Sequence, residues 1–447
     1  MCTTLRTKDG NLEIIPKLIQ AFATGFHLNS IYDSIYFRSF QEASKTINGN
    51  ITTKTAETFY NEWLRISDGN LDNELRSSSF TSLLARYINV LIELRTNLRK
   101  AGYPVDYFRW LFDSFIRYIS IFTSIEKDFD LSPFDTLYMK GKTRLLHYKS
   151  IIEQSQDQES VHPVLIIYAP INRFHIMDIR PRSVVKSLLS KGLDVYLLDW
   201  GYPGWEDSSL SLTDYVNYVR DAIQHVKDKT GTKKVSILGY CWGGLIALIY
   251  SALNNENVRS LALMAAPADF SKDNTILATW ARVIDSDRIV DEFRHLYGQV
   301  LNIGFLMRNP PRHSFDKYLN LFKRYNDKQF VDTFISVEKW LYDTPIIPGN
   351  LYRQVINDCY KNNLLISKKM KVDGNIVDLK KITAPLLTIV AEDDDLISPE
   401  STLAIKDYVS SKDKASLTTA GGHVELCTGK MAHEKLWPEA AKWILSN

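Results

Sequence analysis

At 447 residues the chain is long enough to bury a large core and to hold more than one structural region. Charged residues make up 24% of it and nearly cancel, leaving a formal net charge of +2, so electrostatics gives no reason to expect nucleic acid as a partner. Its cysteines, Cys2, Cys241, Cys359 and Cys427, fit neither a disulfide framework nor a zinc spacing, and this sparse usage suits a reducing cytoplasm.

The N-terminus, MCTTLRTKDGNLEII, has no apolar run of the signal-peptide kind. Residues 1–131 read as an all-helical region. Phe59, Trp63 and Ile66 mark a short helix, and Phe80, Leu84, Tyr87, Leu91, Leu94 and Leu98 then recur at alternating spacings of four and three. That alternation is a heptad seam suited to packing against another helix. Gly102-Tyr103-Pro104 ends the long helix, because proline cannot continue the hydrogen-bond ladder. An aromatic stretch, Tyr107 to Phe122, follows.

From residue 132 to 447 the pattern changes to short apolar runs alternating with helical segments. The strands expected are Arg144–Tyr148, Val164–Tyr168, Val195–Leu198, Val235–Leu238, Leu261–Met264, Leu386–Val390 and Ser416–Thr419. Helices are expected over Ser183–Leu189, Thr213–Lys227 and Gly244–Leu253. This alternation implies a mostly parallel sheet covered on both faces. It lapses at about 270–380, where a helical insertion late in the sheet predicts a cap or lid. Val235–Leu253 carries no formal charge and nominates a membrane span by length. Its glycines argue instead for a strand, a tight turn and a buried helix.

The turn is Gly239-Tyr240-Cys241-Trp242-Gly243-Gly244, between an apolar strand and an apolar helix, which is the setting of a nucleophile elbow. Glycines two before and two after the nucleophile allow the backbones to approach, and the positive end of the helix favours developing negative charge. A buried structural cysteine in a glycine turn has the same local signature, so later residues must decide. Leu386–Val390 runs into the carboxylates Glu392, Asp393, Asp394 and Asp395, and His423 follows in Gly421-Gly422-His423. Nucleophile, acid and histidine in that chain order is the order of α/β-hydrolases. One oxyanion donor is expected from the Trp242 backbone N–H and another from the loop after Val164–Tyr168. Pro170 has no N–H, which leaves Ile171 as first choice and Asn172 as second.

With these residues placed, the region from 132 onward resembles the polyhydroxyalkanoate synthases, most closely the short catalytic subunits of the two-subunit classes. The resemblance is carried by SPFDTLYMKGKTRLLHY (132–148), INRFHIMDIRPRSVVKSLLSKGLDVYLLDWGYP (171–203), GYCWGG (239–244), EKWLYDTP (338–345), the carboxylate loop and GGH (421–423). It implies an α/β-hydrolase-fold acyltransferase in which Cys241, Asp394 and His423 form a triad and the cysteine carries the growing polyester as a thioester. The alignment of Glu392, Asp394, Leu396, Ile397 and Pro399 selects Asp394. Three positions depart from the family pattern. Asp395 stands where a histidine is usual, Pro170 sits beside the oxyanion loop, and Leu245 replaces a common threonine.

The resemblance further implies (R)-3-hydroxyacyl-CoA as substrate, polyester as product, no metal or redox cofactor, a homodimer, and a cytoplasmic location at the surface of polyester granules with granule-associated proteins as partners. FYNEWL (59–64) with FTSLLARYINVLIELRTNLRK (80–100) is similar to the helical accessory subunit of the two-subunit synthases, which would make the chain a fusion of the two parts. Two other readings remain open from the residues alone. One is a cysteine hydrolase of the same fold, such as a thioesterase; the other is a non-catalytic granule-coat protein.

Overall fold

The computed structural model describes residues 129–151, 162–309 and 327–447, with isolated positions between 310 and 326. The helical reading of the N-terminal region, with its Phe59–Ile66 helix and Phe80–Leu98 seam, lies outside the described residues.

Eight strands build one sheet: β1 (Phe134–Lys140), β2 (Thr143–Tyr148), β3 (Pro163–Ile167), β4 (Asp194–Asp199), β5 (Val235–Tyr240), β6 (Val258–Met264), β7 (Leu386–Ala391) and β8 (Lys414–Thr419). Their spatial order is β1-β2-β4-β3-β5-β6-β7-β8. β1 pairs antiparallel with β2, and β2 with β4; the other neighbours run parallel. Parallel neighbours require crossovers, supplied here by α1 (Val184–Leu189), α2 (Leu212–Thr230) and α3 (Trp242–Leu253). Helices on the sheet faces bury both sides of its centre, so β3 and β5 are buried at every residue. That explains their unbroken apolar runs.

The charge-free run 235–253 resolves into β5, the turn and α3, whose residues from Trp242 to Ala252 are all buried. Among the described residues no helix is long and apolar enough to cross a membrane.

One strand was not expected. The sequence reading starts the sheet at Arg144, yet β1 precedes it as the outer strand. Its burial follows no clean alternation and four of its seven residues are exposed, so the period-2 signal is absent. β1 is held instead by its tight connection to β2 through Gly141 and Lys142.

Between β6 and β7 the described residues add nothing to the sheet. They form helices Ile276–Val283, Ser286–Phe293, Gly298–Met307, Lys328–Tyr342 and Gly349–Gln354, continued by a wider helical turn at Val355–Lys361. These helices fall in the span, about 270–380, where the sequence reading places a helical insertion. The compact unit that contains the sheet comprises Asp128–Asn302 and Ile335–Asn447.

Candidate active site

β5 ends at Tyr240 and α3 begins at Trp242, which leaves Cys241 alone in the turn with φ 54° and ψ −129°. A non-glycine residue there costs on the order of 1–3 kcal/mol and persists only where its surroundings dictate it. They do so on both sides. The Cys241 N–H donates to the Met264 carbonyl at 3.0 Å, and the Cys241 carbonyl accepts from the Gly244 N–H at 2.8 Å.

The neighbouring glycines are required by close approach, though not in the pairing read from sequence. A Cβ on Gly239 would lie 2.6 Å from Gly244 Cα, so the contact across the turn is with Gly244 rather than Gly243. Gly243 faces the other way, where a Cβ would fall 2.2 Å from the Ile167 carbonyl oxygen. Gly243 therefore seats the elbow against the end of β3, and Gly244 seats it against Ala266, 2.3 Å from its own added Cβ.

The acid and the histidine follow the last two strands. Asp394 leaves β7 with one carboxylate oxygen, Oδ1, accepting from the backbone N–H groups of Leu396 at 2.9 Å and Ile397 at 3.0 Å. Its Oδ2 lies 2.7 Å from His423 Nδ1. Glu392 and Asp393 are exposed, while Asp394 is buried. The two loops are stitched by backbone bonds, Glu392 N–H to Thr419 and Asp393 N–H to Gly421, each 3.0 Å. β7 and β8 are parallel neighbours in register to their last residues, so acid and base emerge side by side.

The His423 ring is buried, and burial pulls its pKa down. The charge and hydrogen bonding of the Asp394 carboxylate, and then of the Cys241 sulfur, outweigh that and push it up to about 10. Tyr240 adds a contact that sequence did not suggest. Its ring stacks on the imidazole at 4.8 Å, and its hydroxyl donates to the His423 carbonyl at 3.2 Å. Cys427 and Cys359 are buried away from solvent, and burial pushes both thiols up, so neither has the setting of a nucleophile.

As the first residue of α3, Trp242 has an N–H without an intrahelical acceptor. Its indole Nε1 donates to Tyr360 Oη at 3.4 Å. Ile171 sits in the turn after β3, buried. The side-chain amide of Asn172, whose backbone N–H is the second choice for an oxyanion donor, donates to Thr344 Oγ1 at 2.7 Å.

A second cluster stands behind this turn. Asp199, at the end of β4 and fully buried, is paired with Arg173 at 3.0 Å and with Arg144 at 2.7 Å. Trp340 Nε1 donates to the Arg173 carbonyl at 2.7 Å. Residues from three separate sequence stretches, 132–148, 171–203 and 338–345, thus meet at one place. Charge pairing at long sequence separation has no periodicity, so only the motif strings themselves pointed to these side chains.

The family model described as the alpha/beta hydrolase fold matches residues 163–424. A poly(3-hydroxyalkanoate) polymerase subunit PhaC from Haloferax mediterranei is 38% identical over 316 residues, covering 70% of this chain and 63% of that one. The PhaC subunit of Allochromatium vinosum is 37% identical over 319 residues, 71% of this chain and 89% of its own. Among solved structures, a monoacylglycerol lipase from Paleococcus ferrophilus aligns with 64% of this chain and 96% of its own at 16% identity and a TM-score of 0.40.

Proposed function

The chain belongs to the poly(3-hydroxyalkanoate) polymerase family of the α/β-hydrolase fold, and from that premise we propose that it polymerises (R)-3-hydroxyacyl-CoA through a thioester on Cys241. One observation carries the reading: the buried Asp394 carboxylate holds His423 at 2.7 Å, and the sulfur that helps to raise the pKa of that imidazole belongs to a cysteine held in an elbow turn.

In the first half-reaction the thiol proton rests on His423, whose raised pKa favours an imidazolium beside the thiolate, and the Cys241 sulfur attacks the thioester carbonyl. The carbonyl oxygen gains negative charge and is received by the N–H groups of Trp242 and Ile171. The tetrahedral adduct collapses, the C–S bond to CoA breaks, and His423 returns the proton to the leaving thiolate. In the second half-reaction the 3-hydroxyl of another acyl unit gives its proton to His423 and attacks the enzyme-bound thioester. An ester bond forms and the C–S bond breaks. Asp394 orients the imidazole and stabilises its cationic form. Exchange between thioesters is nearly balanced in energy, so a thiol suits repeated acyl transfer. The insertion between β6 and β7 serves to keep water from the acyl-enzyme.

No metal enters this chemistry, and a chelator should leave the rate unchanged. The same reading places the enzyme as a homodimer in the cytoplasm at the surface of polyester granules, among granule-associated proteins. Residues 1–131 act in cis as the accessory part that two-subunit synthases receive separately, at an effective concentration on the order of millimolar for a short linker.

Purified protein with 3-hydroxybutyryl-CoA tests the whole reading, following free CoA and insoluble polyester together. CoA with free 3-hydroxybutyrate and no polyester would mean a hydrolase. No CoA at all would leave a non-catalytic coat protein.

A further inference from the structure

The second cluster is placed to do more than staple strands together. The turn that carries Ile171 consists of Ala169, Pro170 and Ile171, and both of its ends are fixed by buried side chains. At the near end, Trp200 Nε1 donates to the Tyr168 carbonyl at 2.8 Å, and Tyr168 Oη donates to Asp199 Oδ1 at 3.2 Å. At the far end, Trp340 Nε1 holds the Arg173 carbonyl at 2.7 Å, and the Asn172 amide reaches Thr344 Oγ1 at the same distance.

The Arg173 side chain closes the assembly. Its guanidinium pairs with Asp199 at 3.0 Å, donates to the Gly201 carbonyl, and lies 4.0 Å from the ring centroid of Tyr202. Tyr202 in turn donates to the Asp343 carboxylate at 2.9 Å. Gly201 is obligatory in this packing, because at φ +73° a Cβ would lie 2.2 Å from the Lys142 carbonyl oxygen. Arg173 and Asp199 are 3% and 0% exposed, so water neither screens the pair nor substitutes for it.

Proline fixes φ at the middle of the turn. With Tyr168 held before it and Asn172 and Arg173 held after it, the direction of the Ile171 N–H follows from the clamp rather than from its own side chain. We propose that Arg173, Asp199 and Trp340 are positioning residues for acyl transfer, holding the Ile171 N–H toward the thioester oxygen. This rests on the reading of Cys241 as the acylated nucleophile.

An oxyanion donor matters only where negative charge develops on a carbonyl oxygen. Alkylation of the same thiol by iodoacetamide forms a C–S bond at a saturated carbon and expels iodide, with no oxyanion. Comparing the two reactions at one sulfur separates positioning from general damage. The full-length protein is to be tested as Trp340→Phe, Arg173→Lys and Arg173→Met, with 3-hydroxybutyryl-CoA in single-turnover CoA release and with iodoacetamide.

Removing a donor outright costs about 10²–10³-fold in kcat. A misdirected one should cost less. Trp340→Phe is expected to slow acylation about tenfold with KM within twofold, Arg173→Met about a hundredfold, and Arg173→Lys by an intermediate amount. Alkylation should stay within twofold throughout. Acylation within twofold of wild type in both Trp340→Phe and Arg173→Lys would overturn the proposal, as would alkylation falling in parallel with acylation. If Arg173→Met does not fold, the two milder variants decide. Failure of the underlying reading would show elsewhere, as CoA release that survives in Cys241→Ala.

Discussion

Replacing Asp394 by asparagine changes one atom and removes one charge, and the surroundings of the carboxylate allow its effects to be separated. Oδ1 accepts from two backbone N–H groups at 2.9 and 3.0 Å, and an amide oxygen in the same place keeps both. The loss falls on Oδ2, whose 2.7 Å bond to His423 Nδ1 is charge-assisted. Such a bond contributes about 1.5–3 kcal/mol net. The melting temperature should therefore fall by only a few degrees. The catalytic consequence is larger. An amide NH2 facing Nδ1 makes that nitrogen the acceptor and puts the ring proton on Nε2, the side turned to Cys241. A neutral ring in that tautomer cannot take the thiol proton, so CoA release should fall roughly 10³–10⁴-fold. Asp394→Ala would lose the two backbone bonds as well, leaving two donors short of partners at about 1–3 kcal/mol each. The assay is continuous CoA release from 3-hydroxybutyryl-CoA, paired with thermal melts of Asp394→Asn, Asp393→Asn and Asp395→Asn. The reasoning fails if Asp394→Asn keeps more than a tenth of the wild-type rate, or if either neighbour loses more.

Cys241→Ala should abolish CoA release, whereas Cys359→Ala should retain most of it, since that thiol is buried outside the elbow; the same assay reads both. Gly243→Ala should fail to accumulate as folded protein, because its Cβ would meet backbone 2.2 Å away that cannot yield; a destabilisation of about 3 kcal/mol or more is expected, read by soluble yield and melting. His423 carries a pKa raised to about 10 by Asp394 and Cys241 against burial. A folded-state value above the unfolded one of about 6.5 means that its contribution to stability is complete below pH 6.5. It declines as pH rises toward 10. Melting temperature should therefore drop between pH 7 and 8.5 in wild type and drop less in His423→Gln, with equal slopes counting against the ion-pair assignment.

What sequence could and could not show follows from the kind of signal each element leaves. β3, β5 and β7 are buried on both faces, so their apolar runs stand out and their limits are read to within a residue or two. Cys241 is marked by glycines whose absent side chains are forced by contacts of 2.2–2.6 Å. Asp394 could not be separated from its acidic neighbours by composition; the alignment singled it out, and in the structure it is the buried carboxylate bonded to His423. β1 left no trace because it is an exposed outer strand whose burial lacks alternation. The contact of Gly239 with Gly244, rather than Gly243, depends on how α3 leaves the turn, which no residue pattern states. Arg173 and Asp199 were visible only as letters in motifs. Their pairing joins residues 26 apart, and no local propensity records such a distance.

The bonds that fix the Ile171 turn have a consequence for the order in which a chain emerges during synthesis. Arg173 and Asn172 are clamped by Trp340 and Thr344, which lie 167 and 172 residues further along. His423 comes 183 residues after the Tyr240 hydroxyl that meets its carbonyl. At about 5–20 residues per second, the ribosome exposes Cys241 many seconds before either partner exists. During that interval the thiol stands at a half-built site, with no base beside it and a slack turn opposite. On the proposed mechanism a nascent chain is then chemically quiet toward acyl-CoA, and polymer begins only on a molecule whose last strands have emerged.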